Sequence, residues 1–346
     1  MIRESSKKGV RSSRSSGRVT LQDVAEAVGV SAMTVSRALR GERRVDPELV
    51  KRIQTAADAL GYVPDPAARA LASQKSTQVL VLVPLLSNTL FVEVIEAIHK
   101  VLFKAGYHAL MGVTHYDRAE EEQLLRAYLP LRPAGLLLTG FDHTPAVQQM
   151  LLKSAIPCVH MMELANDPQT PSVGFSQEAA GAVITNHLLQ QGYRRIAFCA
   201  GQMDARVLQR AAGWKAMLQQ NGLYDPQLEV LSSTPTSMAL GAELLMQALQ
   251  CDPKIDAAFF CNDDIAQGAL MEAMRRGIRV PQDIAIAGFN DLPGSDQMLP
   301  PLTTVRTPRQ QIGTEAAHML LQLIRGEQPQ APQHDVGFEL MVRSST

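Results

Sequence analysis

Residues 20–41 read TLQDVAEAVGVSAMTVSRALRG, and the architecture of the first part of the chain follows from their spacing. Leu21, Val24, Ala25 and Val28 recur at three- and four-residue intervals, Gly29 interrupts, and Val30, Val35 and Leu39 resume the pattern. That periodicity predicts two short helices with one apolar face each. Gly29 permits a tight turn between them, and Ser31 suits the N-cap of the second. A third helix is predicted from Val50, Ile53, Ala57 and Leu60, with Asp46-Pro47 as its cap and first turn. A plain three-helix packing unit would show the same periodicity. A helix-turn-helix also needs a second helix that opens with small and hydroxyl residues able to approach a groove, and Ser31, Ala32 and Thr34 meet that need.

The flanking composition points to a polyanionic partner for this segment. Residues 1–76 carry 14 Lys and Arg against 8 Asp and Glu, a surplus of about +6, whereas the remainder carries 19 against 26, about −7. A basic front end on an acidic body directs nucleic acid to the front end alone. Residues 1–18 are rich in Ser, Arg and Lys and poor in apolar side chains, so they read as a disordered basic tail. They contain no apolar core of a secretory signal, and no later run approaches the ~20 apolar residues of a membrane span. Cys158, Cys199, Cys251 and Cys261 show no metal-like spacing and sit in apolar runs, the pattern of buried free thiols. A cytoplasmic protein is expected.

Beyond residue 76 the texture changes to α/β. Val79-Leu80-Val81-Leu82-Val83 is a continuous strand-like run, followed by a helix from Phe91 to Ala105. Further strands are predicted at His108–Val113, Gly135–Thr139, Cys158–Met162, Arg195–Cys199, Ala257–Cys261 and Ile284–Ala287, with helices between them. Continuous apolar strands alternating with helices indicate parallel sheets covered on both faces, and about a dozen units are too many for one compact sheet. Two sheets side by side bind small molecules in the cleft beyond the carboxyl ends of their strands. Polar groups follow the strands at Ser87, Asn88, Tyr116, Asp117, Asp142, His143, Glu163, Asn262, Asp263, Asn290 and Asp291, although any one could be a cap or loop residue. No P-loop, dinucleotide fingerprint, nucleophile elbow or metal cluster is present, so neither an enzyme nor a cofactor is expected. A free-standing sugar-binding protein remains an alternative that the basic front end disfavours.

The quoted stretch, together with RRVDPELVKRIQTAADALGYVPDPAARAL at residues 43–71, resembles the headpiece of the LacI/GalR family of bacterial repressors, and the similarity continues to the end of the chain. The resemblance implies an all-α helix-turn-helix headpiece and an α/β periplasmic-binding-protein-like body with two parallel-sheet lobes. The implied boundaries are a tail at 1–18, a headpiece at 19–64, a hinge at 65–76 and a body at 77–346. Within the body, one lobe would take about 77–176 and 306–335, the other about 177–305 and 336–346. Ala32, Met33 and Arg37 match base-reading positions, while Thr20, Leu21, Ser31, Thr34 and Ser36 match positions that hold phosphates. Arg37 can offer a bidentate fork to guanine. The hinge would insert Leu71 into the minor groove, with Ala68 small enough for two hinges to pack.

In the body, DARVLQRAAGW places Arg210 at an effector-binding arginine of the family, with Arg206 one turn earlier on the same face. FFCNDDIAQGAL places Asn262 at a ligand-binding asparagine, and SVGFS puts Phe175 at the lobe boundary. Ser87, Phe91, Tyr116 and Glu163 complete the expected effector set. AIAGFNDLP puts Asn290 where sugar-binding members carry aspartate, and an amide there removes a charge that would repel an anion. The whole body most resembles the gluconate-utilisation repressors, which implies gluconate as the effector, a phosphorylated gluconate as second choice, and double-stranded operator DNA as the macromolecular partner. A homodimer is expected, because two headpieces are needed for a near-palindromic site and the chain stops soon after Arg343 without an added tetramer-forming helix.

Overall fold

The computed structural model describes residues 19–39, 45–63 and 76–346. The chain divides into two compact units, residues 1–75 and 76–346. In the first, α1 (Leu21–Val28), α2 (Ala32–Leu39) and α3 (Pro47–Leu60) bury Val24, Ala25, Val35, Ala38, Ile53 and Ala57 against one another. The sequence dictates the breaks. Gly29 takes φ 75 at the end of α1, a left-handed conformation that costs glycine least. Thr20 and Asp23 form a reciprocal capping box at its start, and the Asp46 carboxylate accepts from the amides of Glu48 and Leu49 at the start of α3. The side chain of Arg52 ties α3 to α1 through the Val28 carbonyl at 3.3 Å.

The second unit holds a six-stranded sheet and a four-stranded sheet, every neighbouring pair in both being parallel. The first contains β1 (Gln78–Val83), β2 (His108–Val113), β3 (Gly135–Thr139), β4 (Cys158–Met162), β5 (Ser172–Gly174) and β11 (Gln333–Asp335), in the order β11-β5-β4-β3-β1-β2. The second contains β6 (Ile196–Ala200), β7 (Glu229–Leu231), β8 (Ala257–Phe260) and β9 (Ala285–Ala287), in the order β7-β6-β8-β9. β1, β3, β6 and β8 are buried almost throughout, so their apolar runs are those of strands covered on both faces.

Helices α4 (Thr89–Lys104), α5 (Arg118–Tyr128), α6 (Pro145–Ser154) and α11 (Arg309–Ile324) belong to the first lobe. Helices α7 (Gln177–Gln190), α8 (Ala205–Gln220), α9 (Met238–Cys251) and α10 (Asp263–Arg276) belong to the second. A two-stranded antiparallel ribbon, β10 (Thr304–Arg306) with β12 (Glu339–Met341), lies where the chain passes between the lobes. The sequence pattern did not foresee it, because three-residue strands with mixed polarity carry no period-two signal. Among the cysteines only Cys199 and Cys261 are buried; Cys158 is half-buried and Cys251, the last residue of α9, is exposed, which corrects the expectation of four buried thiols. No helix among the described residues is long and apolar enough to cross a membrane.

Asp263 holds the crossover region together. Fully buried, its carboxylate accepts from Leu292 N (2.6 Å), Ser295 Oγ (2.9 Å) and Thr304 Oγ1 (2.7 Å). Burial pushes its carboxyl up to about 6 from 3.8, the three donors offsetting only part of that cost. A folded value above the unfolded one means that the native state keeps the proton longer, so this group's contribution to stability falls as pH rises between about 4 and 6 and is level above. Asp263→Asn removes that titration. The stability of the wild type minus that of the variant should therefore fall by roughly 3 kcal/mol across the window, measured by urea unfolding at pH 4 and pH 7. A pH-independent difference would show that the site does not titrate there.

Candidate nucleic-acid interface and ligand cleft

On α2, Val35 and Ala38 face the headpiece core while Ser31, Met33 and Arg37 stand exposed and Ala32, Thr34 and Ser36 are half-buried. Met33 and Arg37 are one turn apart, and 62% of Met33 is open to solvent, an unusual exposure for a large apolar side chain. The hydroxyls flanking this face shape the helix starts. Ser31 Oγ accepts from Thr34 N (3.2 Å) and lies 2.9 Å from Thr34 Oγ1, while Thr20 Oγ1 donates to Asp23 (2.7 Å). Leu21 is half-buried as the first residue of α1. Two helix N-termini bounded by hydroxyls make a surface suited to phosphate oxygens, between which the side chains of α2 can address base edges. Ala68 and Leu71 lie outside the described residues.

The cleft of the body opens between the carboxyl ends of the two sheets. A cavity of about 130 Å³ is lined on the first-lobe side by Thr114, Tyr116, Asp117, Gly140 and Glu163 among others, and on the second-lobe side by Gln202–Arg206. Arg206 lies against Glu163 (3.6 Å) and Asp204 (3.7 Å), with its guanidinium 5.7 Å from the centre of the Tyr116 ring. Burial works against its charge, yet Asp204, Tyr116 and Glu163 together keep it protonated above its usual range. Enclosure pushes the Tyr116 phenol up to about 12, so it is a hydrogen-bond donor at neutral pH. Gly140 takes φ 74, a conformation that L side chains rarely adopt, beside the Glu163 carboxylate.

Arg210, one turn further along α8, is held differently. Its Nε donates to Gln177 Oε1 (2.8 Å), its Nη1 donates to the Cys261 carbonyl (2.6 Å), and its guanidinium lies 3.8 Å from the centre of the Phe289 ring. Among the described residues no carboxylate comes within ion-pair distance of it, and its Nη2 has no protein partner. Burial lowers its proton affinity, partly offset by the more distant Asp204. Asn262 caps α10 through its side-chain oxygen, accepting from Ile265 N at 3.1 Å, and Asn290 accepts from Thr307 Oγ1 at 3.1 Å. Among the described residues, the amide nitrogens of both asparagines, like Arg210 Nη2, form no hydrogen bond, and none of the three atoms is fully buried.

Of the expected effector set, the structure brings Tyr116, Glu163 and Arg206 onto the cavity wall, and places Arg210, Asn262 and Asn290 together at the ends of β8 and β9 without lining that cavity. Phe91 is 2% exposed and Phe175 1%, and both serve the apolar core; Phe175 stacks with Phe289 (6.4 Å) and packs at a tilt against Phe338 (5.6 Å) at the crossover. An apolar ring after a strand reads the same from sequence whether it faces ligand or core. Ser87 is exposed, outside the cavity lining, and its neighbour Asn88 instead bridges the lobes by donating to Asp264 at 3.1 Å. His143 and His160 are buried in a chain with Glu121: Glu121 to His143 at 2.8 Å and His143 to His160 at 3.4 Å. Sequence reading missed Asp204, Gln202 and Gln177. Backbone strain is the signal absent from the sequence: of nine non-glycine residues with positive φ among the described residues, His115, Tyr116, Met162, Gln202, Met203, Asn290 and Asp291 cluster at the strand ends facing the cleft.

Residues 20–65 match the profile of the bacterial regulatory proteins of the lacI family, and residues 185–346 match a periplasmic binding protein-like domain. The HTH-type transcriptional regulator GntR of Pseudomonas aeruginosa is 52% identical over 339 residues, covering 98% of this chain and 99% of that protein. The chain belongs to the LacI family of bacterial regulatory proteins. The GntR regulator of Escherichia coli K12 is 36% identical, covering 93% of this chain and 97% of the relative. Among solved structures, the transcription regulator GntR from Chromobacterium violaceum aligns with 51% identity and a TM-score of 0.76 over 78% of this chain and 98% of that one. The lac repressor dimer bound to operator aligns with 26% identity and a TM-score of 0.81 over 95% and 99%.

Arg37→Ala should weaken binding to a cognate operator by about 1–3 kcal/mol while changing affinity for random duplex far less, measured by fluorescence anisotropy at one fixed salt concentration. Equal losses on both duplexes would assign Arg37 to phosphate rather than base contact.

Proposed function

We propose that this LacI-family regulator acts as a cytoplasmic homodimeric repressor of sugar-acid catabolism genes, and that a sugar acid, gluconate, releases it from its operator. The reading rests on Arg210. A guanidinium cannot shed its proton under physiological conditions, and a buried charge costs several kcal/mol unless paired. Arg210 has a carbonyl, an amide and an aromatic face around it but no counter-ion. The unpartnered amide nitrogens of Asn262 and Asn290 flank the carbonyl and the ring that it touches, so the free groups here are all donors. A ligand carboxylate supplies the missing charge and accepts from all three.

The cavity wall has the opposite bias. Asp117, Glu121, Asp142, Glu163 and Asp204 line it beside Arg118 and Arg206. Carboxylates accept hydrogen bonds from hydroxyls, so this end suits the polyol tail of a sugar acid whose carboxylate reaches Arg210. The same acidic lining favours a second reading, a neutral sugar held mainly by hydroxyl donors. Support for the macromolecular partners comes from the headpiece face and from likeness to a repressor solved as an operator-bound dimer. A two-fold dimer places two recognition helices one turn of DNA apart.

Calorimetric titration of the full-length protein with gluconate and with glucose separates the two readings, and an operator gel shift run in parallel tests release. Gluconate should bind and release the operator, and Arg210→Lys, which keeps the charge but loses the fork, should bind it more than about tenfold more weakly with unchanged operator affinity. Glucose binding in preference to gluconate would establish the neutral-sugar reading instead.

A further inference from the structure

Gln177 is the first residue of α7, immediately after the chain leaves β5, and it is completely buried. Its carboxamide has two bonds pointing to opposite lobes. The Nε2 group donates to the Met162 carbonyl at the end of β4 (2.9 Å), and Oε1 accepts from Arg210 Nε on α8 (2.8 Å). Met162 has φ 78, a left-handed conformation that a methionine adopts only when its surroundings enforce it. The enforcing neighbour is β5. A Cβ on Gly174 would stand 2.3 Å from Glu163 N and 2.6 Å from Met162 C, so the crossover strand lies directly on the Met162–Glu163 peptide. The next side chain, Glu163, accepts from Gln209 Nε2 on α8 at 2.9 Å and lies 3.6 Å from Arg206. One short segment of the first lobe therefore meets Arg206 and Gln209 of α8 directly and Arg210 through Gln177.

We propose that Gln177 is a positioning residue of the effector switch: its amide aims Arg210 and makes the aim depend on where the other lobe holds the Met162 carbonyl. This rests on the reading of the cleft given above. Among the described residues, the other hydrogen-bond and ring partners of Arg210 are the Cys261 carbonyl and the Phe289 ring, both within the second lobe. A movement of β4 relative to α8 has to break or stretch one of the two Gln177 bonds. Loss of the Arg210 bond frees a buried N–H, and loss of the Met162 bond frees a buried carbonyl, each a penalty larger than the bond's own net worth. Ligand pairing with Arg210 thus biases the lobe arrangement, and the lobe arrangement biases ligand affinity, as reciprocal linkage requires.

The test is Gln177→Met in the full-length protein, close in volume and without either hydrogen bond. Four quantities are read: melting temperature, operator affinity without ligand, affinity for gluconate and for glucose, and the ratio of operator affinities without and with saturating ligand. The expected result is at least about tenfold weaker ligand binding and a smaller ratio than the wild type, whose ratio should lie in the 5–150-fold range usual for such coupling. A folded variant with wild-type ligand affinity and ratio overturns the inference and leaves the cleft reading standing. A wild type that binds neither gluconate nor glucose overturns the cleft reading and this inference with it. Should Gln177→Met fail to fold, Gln177→Glu keeps the acceptor for Arg210 but neutralises it and removes the donor to Met162. Its gluconate affinity should then fall more than its glucose affinity, and equal affinities to the wild type for both would count against the role.

Discussion

A permanent cation placed at the end of a parallel sheet sets the terms for the rest of the cleft. Arg210 projects from α8 beneath the ends of β8 and β9, and the protein satisfies its shape without satisfying its charge. Neutral dipoles can solvate a guanidinium partially, and the face of Phe289 adds a cation–π contribution of order 1–2 kcal/mol. They do not replace a counter-ion. Arg206, one turn away, shows the contrast: it has Glu163 and Asp204, and those carboxylates hold it charged. Two arginines on one helical face therefore have different tasks, one closing a network between lobes and the other left short of an anion.

Strain follows the same geography. Parallel strands gather their carboxyl ends on one side, and the loops that leave them must turn sharply to expose side chains to the cleft. Non-glycine residues in left-handed conformations accumulate there after β2, β4, β6 and β9. Each costs of order 1 kcal/mol or more and persists only because neighbours over-determine it. Asp263 is one such determinant: by gathering Leu292 N, Ser295 and Thr304 it fixes the turn that carries Asn290 and Asp291. Around Asp291, Arg306 (2.8 Å) and Arg343 (2.7 Å) tie two further crossover segments to the same turn.

What the sequence made legible divides along physical lines. β1, β3, β6 and β8 were visible because strands covered on both faces are unbroken apolar runs, and α1 to α3 because caps and period agreed. β5, β7, β10, β11 and β12 were not, since three residues of mixed character define no period, whereas the equally short β9 showed as an unbroken apolar run. Tyr116 and Glu163 stood out as polar groups after strands, and Arg206 through the family resemblance of its helix. Gln177 and Asp204 did not, because a polar residue in a helix's first turn looks like any cap or surface position until tertiary structure shows what it touches. Phe91 and Phe175 show the opposite difficulty: the structure buries both in the core, and the signal for an apolar ring does not distinguish a ligand wall from a core.

The energetics of switching can be read from bonds that join the lobes. Asn88 to Asp264, Gln177 to Met162, Arg206 to Glu163 and Gln209 to Glu163 each join an element of the six-stranded lobe to one of the four-stranded lobe. A neutral hydrogen bond contributes a net ~0.5–1.5 kcal/mol and one to a charged group ~1.5–3. Allosteric coupling free energies are typically ~1–3 kcal/mol, so exchanging one or two such bonds for bonds to a ligand spans the required range. The large apolar cores of the two lobes need not repack. A ligand small enough for a cavity of about 130 Å³ competes with interlobe contacts that are each of the same magnitude as a typical coupling free energy.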